Sequence, residues 1–210
     1  MVGLMKKDFL LIKANIKSMI IIFIVFFIFA FQGTFDIAFI VPIIGIMLFI
    51  STFSYDDFNN WNSYAVTLPD GRKNVVRAKY VASIILAVAL GTLCLAISMA
   101  ISYVRTNNIN FDDTLSLLMG TILSSVIIIS LLYPIMFKYG ATNGRIIMFV
   151  MIFGIAGIGV MLEKFIDMTF LINMINELDN YMFIAVPVIS IILLGISYLI
   201  SSKIYINKEF

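Results

Sequence analysis

The sequence predicts an all-α, polytopic membrane protein with six transmembrane helices in a single domain, residues 1–210. The first observation is composition, since 62% of the 210 residues are hydrophobic and 12% are charged, against about 45–50% and about 25% in soluble domains. The second is that six charge-free windows have about the length that a helix needs to cross a bilayer. They are residues 18–35, 37–55, 80–104, 114–137, 146–162 and 180–202.

The same composition excludes several functional classes. The chain has no histidine and one cysteine, which excludes most zinc sites, any intrachain disulfide and any Ser-His or Cys-His catalytic pair. A net charge of +2 does not indicate nucleic-acid binding. We therefore expect neither an enzyme nor a chain that holds its own cofactor.

The basic residues predict the orientation. With the N-terminus in the cytoplasm, the cytoplasmic segments hold all lysines and arginines of the 14 in the chain except Arg105 and Lys164. This asymmetry follows the positive-inside rule. It places both termini in the cytoplasm.

The N-terminal segment has segregated faces on a helix. At about 100° per residue, the apolar face carries Met5, Phe9, Ile12 and Ile16, and another face carries Lys6, Lys13 and Lys17. This pattern predicts an interfacial helix with lysines near lipid phosphates. The alternative is a plain lysine cluster that orients the first span.

Residues 55–79 are the longest cytoplasmic connection. They contain the acidic pair Asp56 and Asp57, the chain's only tryptophan, Trp61, and a break at Leu68-Pro69-Asp70-Gly71. Proline disfavours helix at the preceding residue and Pro-Asp-Gly favours a turn. We expect an amphipathic helix over 56–68, a turn, and a basic helix that leads into the third span. The alternative is that the aromatic residues lie in the interfacial belt, which leaves the acidic pair and the turn unexplained.

The outer connection 163–179 has four acids and one lysine, yet about half of it is apolar. We expect one or two short helices that fold back onto the outer ends of the spans.

These features resemble the permease subunits of type 2 ABC transporters, in particular a short six-span group that exports bacterial toxin or antimicrobial peptides, such as phenol-soluble modulins. The pattern is an acidic pair after the second span, an aromatic amphipathic piece, Leu-Pro, a basic residue and a lysine. Here these residues are Asp56, Asp57, Trp61, Leu68, Pro69, Arg72 and Lys79. The family often has a small hydroxyl residue before the basic one, where this chain has Gly71.

The resemblance implies a coupling helix that docks into a groove of a separate ABC ATPase. On this basis the ATPase-coupling residues are Asp56, Asp57, Phe58, Trp61, Tyr64, Leu68, Pro69 and Arg72. No G-x-x-x-x-G-K-[ST] motif occurs in the chain, so ATP and Mg²⁺ would be bound by the partner ATPase. The resemblance also implies pairing with a second copy or a homologue in the bacterial cytoplasmic membrane. The expected substrate is a hydrophobic or amphipathic peptide.

Two other functional classes stay open. An ion-coupled secondary carrier would place ionisable groups at membrane depth, and the six windows have none. A non-transporting immunity or scaffold protein is compatible with the sequence, and copurification of an ATPase would exclude it.

Overall fold

The computed structural model describes residues 2–32, 40–68, 71–106, 111–163 and 168–208, and every regular element among them is an α-helix. The helices are α1 (Val2–Gln32), α2 (Ile40–Phe58), α3 (Trp61–Val66), α4 (Gly71–Thr106), α5 (Phe111–Glu163) and α6 (Met168–Asn207). This confirms the all-α prediction.

Four helical stretches in the described part of the chain are long and apolar enough to cross a membrane: Val2–Phe31, Gly71–Val104, Leu115–Ile147 and Ala185–Asn207. The chain is therefore membrane-integral by length and composition. The count of six spans stays a prediction.

Helix α5 is broken at Gly140. Its φ of 77° and ψ of 175° lie outside the helical region, in backbone space that glycine adopts with little strain. A Cβ built on Gly144 would lie 3.5 Å from the Cα of Met136, although eight residues of straight helix would separate the two by about 12 Å. The chain therefore reverses at Gly140, and the two parts of α5 form a hairpin.

Three boundaries differ from the sequence-based expectation. The interfacial helix and the first span form one unbroken helix, Val2–Gln32. The expected helix over 56–68 is divided, because Asn60 has a left-handed backbone (φ 51°, ψ 30°) between the end of α2 and the short α3. Residues 168–179 are not separate short helices but the first part of α6.

Contacts bring several distant chain segments to one end of the helical bundle. Lys7 near the start of α1 pairs with Asp56 near the end of α2. The Arg72 guanidinium at the start of α4 donates a hydrogen bond to the Ile206 carbonyl oxygen at the end of α6. We call this the loop end of the bundle.

An aromatic core packs just inside the loop end. Tyr133 of α5 makes edge-on contacts with Phe53 (5.2 Å between ring centroids) and Tyr80 (4.8 Å). The ring centroid of Phe137 lies 5.0 Å from that of Phe53 and 5.3 Å from that of Tyr205. These rings join α2, α4, α5 and α6, and such edge-on pairs add about 0.5–1.5 kcal/mol each beyond the area they bury.

Away from the loop end, the outer faces of the helices are apolar. Along α1 and α6 many large aliphatic side chains are exposed, including Ile21, Ile24, Ile28, Ile191 and Leu199. A water-soluble surface would not carry such continuous apolar faces, whereas hydrocarbon lipid covers them without cost. The fold thus has a lipid-facing belt and a polar loop end.

Candidate functional site

Four charged side chains from three helices meet at the loop end. We call them the charged cluster: Lys7 and Asp8 of α1, Asp56 of α2, and Lys79 of α4. Asp56 lies between the two lysines, with Oδ1 2.5 Å from the Lys7 Nζ and Oδ2 2.7 Å from the Lys79 Nζ. Asp8 Oδ1 is farther from them, at 3.4 Å from Lys7 and 3.6 Å from Lys79.

Burial makes this arrangement energetically demanding. The side chains of Asp8, Asp56 and Lys79 are at most 5% exposed, and that of Lys7 is 23% exposed. Two carboxylates and two ammonium groups cancel in charge, which is the condition under which buried ions are tolerated. Removing one member would leave an uncompensated charge in a poorly solvated place.

Each lysine of the charged cluster also makes a cation–π contact with an aromatic ring. The Lys79 Nζ lies 4.3 Å from the centroid of the Phe53 ring, and the Lys7 Nζ lies 4.5 Å from that of Trp61. A cation over a ring face is attracted by the ring quadrupole. Lys7 therefore bridges α1, the end of α2 and α3.

The second acid, Asp57, makes different contacts from its neighbour. Its Oδ2 accepts a hydrogen bond from the backbone N–H of Ala141 (2.6 Å), and its Oδ1 accepts one from the Asn62 amide (3.1 Å). Ala141 is the first residue after the break at Gly140, where backbone N–H groups lack helical partners. Asp57, which belongs to α2, thus caps the second half of α5. Its negative charge interacts favourably with the positive end of that helix's dipole.

The surface beyond the charged cluster is formed by the end of α2, the turn that follows it and α3. Phe58 is 85% exposed and Tyr64 is 57% exposed, and Asn59, Asn60 and Ser63 are exposed beside them. We call these five residues the α3 surface. The Trp61 ring is half-buried between Lys7 and Tyr64, 5.2 Å from the Tyr64 ring.

The remaining predicted site residues divide between the interior and the surface. The Leu68 carbonyl oxygen accepts a hydrogen bond from the Gly71 N–H at 2.8 Å, and Arg72 contacts α6 as described above. Pro69 lies outside the described residues. In the predicted interfacial helix, Lys6, Lys13 and Lys17 are exposed and Phe9 is half-buried.

Sequence reasoning missed the charged cluster. Lys7 and Lys79 entered only as topogenic charges or as part of a motif, and Asp8 was not singled out. One signal was available in the sequence. Asp8 is the only acid among the first 35 residues and lies in a lysine-rich segment, so a specific role for it could have been suspected. The partner of such an acid, 71 positions away, is not visible in local patterns.

Comparison with known proteins adds the family. The profile described as ABC-2 family transporter protein matches residues 3–206, nearly the whole chain. No curated protein and no solved structure matches the chain significantly. Because the match covers the helical bundle, the charged cluster and the α3 surface together, the chain belongs to the ABC-2 family of transporter proteins.

Proposed function

We propose that this chain is the permease subunit of an ATP-driven exporter that moves hydrophobic or amphipathic peptides out of the cell. Members of the ABC-2 family are membrane transport subunits that are not themselves catalytic, and the family implies association with an ABC ATPase. Export, the peptide substrate and the pairing of two permease chains are our additions to that assignment.

Contacts between distant chain segments at the loop end support six membrane crossings. Lys7 and Asp56 meet at the loop end, so α1 and α2 together leave this end and return to it. Asp57 meets Ala141, so α4 and the first half of α5 also return. Arg72 meets Ile206, which brings back the second half of α5 and α6. Three such excursions are what six crossings would produce, and they support the proposed count.

The same geometry supports an orientation with both termini in the cytoplasm. The exposed basic side chains Lys6, Lys73, Arg77, Lys138 and Lys203 belong to segments at or near the loop end, and Asp8 and Asp56 are neutralised inside the charged cluster. A basic surface of this kind faces the cytoplasm under the positive-inside rule.

The observation that carries the proposal is the α3 surface. A large aromatic ring that is 85% exposed, Phe58, is costly to leave in water and is typical of a protein contact. Phe58 lies at the loop end, where the charged cluster connects α1, α2 and α4. Movement of this surface would therefore be transmitted to all three helices. We propose that the ATPase binds the α3 surface.

The substrate class is supported by what the spans lack. No charged residue lies in the six predicted windows, so a pathway built from them would suit apolar or amphipathic molecules. Six crossings would supply half of a pathway, and we propose that two copies, or one copy and a homologue, enclose it.

The test is copurification of the chain with its ABC ATPase from the membrane in which both are expressed. Phe58→Ala should weaken the complex by about 2 kcal/mol, or about 30-fold in Kd, as expected for an interface hot spot. Tyr64→Ala should act in the same direction. The matched control is Phe153→Ala, because Phe153 is 71% exposed on the second half of α5, where we expect lipid.

The readouts are the yield of ATPase per permease and the vanadate-sensitive hydrolysis that the permease stimulates. If Phe58→Ala retains and stimulates the ATPase as well as Phe153→Ala does, the α3 surface is not the docking site.

A further inference from the structure

Pro134 interrupts the hydrogen bonding of α5 at a defined acceptor. It lies inside the helix, and proline has no N–H to donate to the carbonyl four residues earlier. That carbonyl belongs to Ser130. It is therefore a buried acceptor that α5 itself leaves without its usual donor.

A side chain from another helix supplies the missing donor. The Ser197 hydroxyl of α6 donates a hydrogen bond of 2.6 Å to the Ser130 carbonyl oxygen. Both serines are buried, at 4% and 6% exposed. A serine inside a helix most often bonds a carbonyl of its own helix, as Ser190 of α6 does with the Val186 oxygen. Ser197 instead reaches across to α5.

The number of hydrogens available for donation determines the direction of the hydrogen bonds around Ser197. Tyr80 OH lies 2.6 Å from the Ser197 Oγ and 2.8 Å from the Ser201 Oγ. Each hydroxyl has one hydrogen to donate. Since Ser197 donates to the Ser130 carbonyl, Tyr80 donates to Ser197 and Ser201 donates to Tyr80. The relay thus runs from Ser201 through Tyr80 and Ser197 to α5.

We propose that Pro134 is a hinge in α5 and that Ser197, positioned by Tyr80 and Ser201, is the latch that holds it in the observed conformation. Unlike an intrahelical bond, this hydrogen bond exists only while α6 lies beside Pro134. Separation of α5 from α6 at this point would free the hinge. Contact would close it again.

The position of Pro134 connects the proposed hinge to the cap at Asp57. Pro134 and the break at Gly140 enclose the short segment 135–139, whose far end abuts Asp57 through Ala141. A change of angle at Pro134 would therefore move the cap that Asp57 provides. The latch is a property of the chain alone and does not depend on the proposed substrate or ATPase.

The test uses the purified full-length chain in detergent, with amide hydrogen exchange of residues 135–139 as readout. Ser197→Ala should raise exchange there by about tenfold, the usual worth of one buried hydrogen bond. Ser190→Ala is the matched control, a buried serine on the same helix whose bond among the described residues is to the Val186 oxygen of α6. It should leave hydrogen exchange in segment 135–139 unchanged.

The decisive variant is Pro134→Ala, which restores an N–H for the Ser130 carbonyl within α5. In that background, Ser197→Ala should change exchange by less than about threefold, because the latch has become redundant. If Ser197→Ala does not fold, Ser197→Cys replaces it, since a thiol is a weak donor of similar shape. Equal effects of the Ser197 and Ser190 substitutions, or an undiminished Ser197 effect beside Pro134→Ala, would overturn the proposal.

Discussion

Replacing Lys79 by methionine would test whether the charged cluster holds the loop end together. Lys79→Met keeps most of the side-chain volume and removes the charge that faces Asp56 at 2.7 Å and Asp8 at 3.6 Å. The cluster then holds two carboxylates and one ammonium group. Its net charge changes from zero to −1 in a place where Asp8 and Asp56 are at most 5% exposed.

Breaking a buried ion pair from one side typically costs about 3–5 kcal/mol, since the partner charge stays behind unpaired. We expect a loss in the free energy of unfolding of this size for Lys79→Met. Adding Asp8→Asn restores neutrality, because Lys7 then balances Asp56, and should recover more than half of the loss. The exposed lysine of the same helix, Lys73, supplies the control Lys73→Met, expected within about 0.5 kcal/mol of the parent.

The assay is unfolding in mixed micelles with increasing sodium dodecyl sulfate, followed by the fluorescence of Trp61. This is the only tryptophan of the chain, and its ring contacts Lys7, so it reports the cluster directly. The reasoning is refuted if Lys79→Met behaves like Lys73→Met, or if Asp8→Asn makes Lys79→Met less stable still.

Two glycine substitutions test the turns that shape the loop end, with unfolding measured in the same way. Gly140→Ala should lower the free energy of unfolding by about 1–3 kcal/mol, because its backbone (φ 77°, ψ 175°) is strained for alanine and the new Cβ would lie 3.1 Å from the Asp57 Oδ2. Gly71→Ser should cost more, since a Cβ there would overlap the Ala65 carbonyl oxygen. Gly195→Ala is the common control, because no described atom lies within 4 Å of its added Cβ and alanine favours helix by about 0.5–1 kcal/mol over glycine. Destabilisation by Gly195→Ala as large as by the other two would contradict both predictions.

The sequence alone predicted the parts of the fold that depend on local pattern. Composition predicted an all-helical membrane protein, and the Pro-Asp-Gly break predicted the basic helix that begins at Gly71. The turn at Gly140 falls in the connection expected between the fourth and fifth windows. In each case, a hydrophobic stretch or a turn residue carries the information within a few positions.

The boundary of α3 could not be predicted in this way. Asp56 and Asp57 read as the start of a helix, because acids favour helix N-termini, yet they form the last turn of α2. Acids at a helix C-terminus are disfavoured by the helix dipole. Here Lys7 and Lys79 offset that cost for Asp56, and the helix that starts at Ala141 offsets it for Asp57. These partners are distant in sequence, so local rules assign the acids to the wrong helix.

The glycine at position 71 shows how tightly α3 is joined to α4. Gly71 has no side chain, and the Ala65 carbonyl oxygen of α3 occupies the space that a Cβ would need. The Gly71 N–H donates to the Leu68 carbonyl oxygen at 2.8 Å, and the Leu68 N–H donates to the Ala65 carbonyl oxygen at 3.3 Å. Among the described residues, the end of α3 thus meets the start of α4 through backbone contacts. Through these contacts, a displacement of α3 by a bound partner would act on α4, the helix that carries Lys79 of the charged cluster and Tyr80, which positions Ser197.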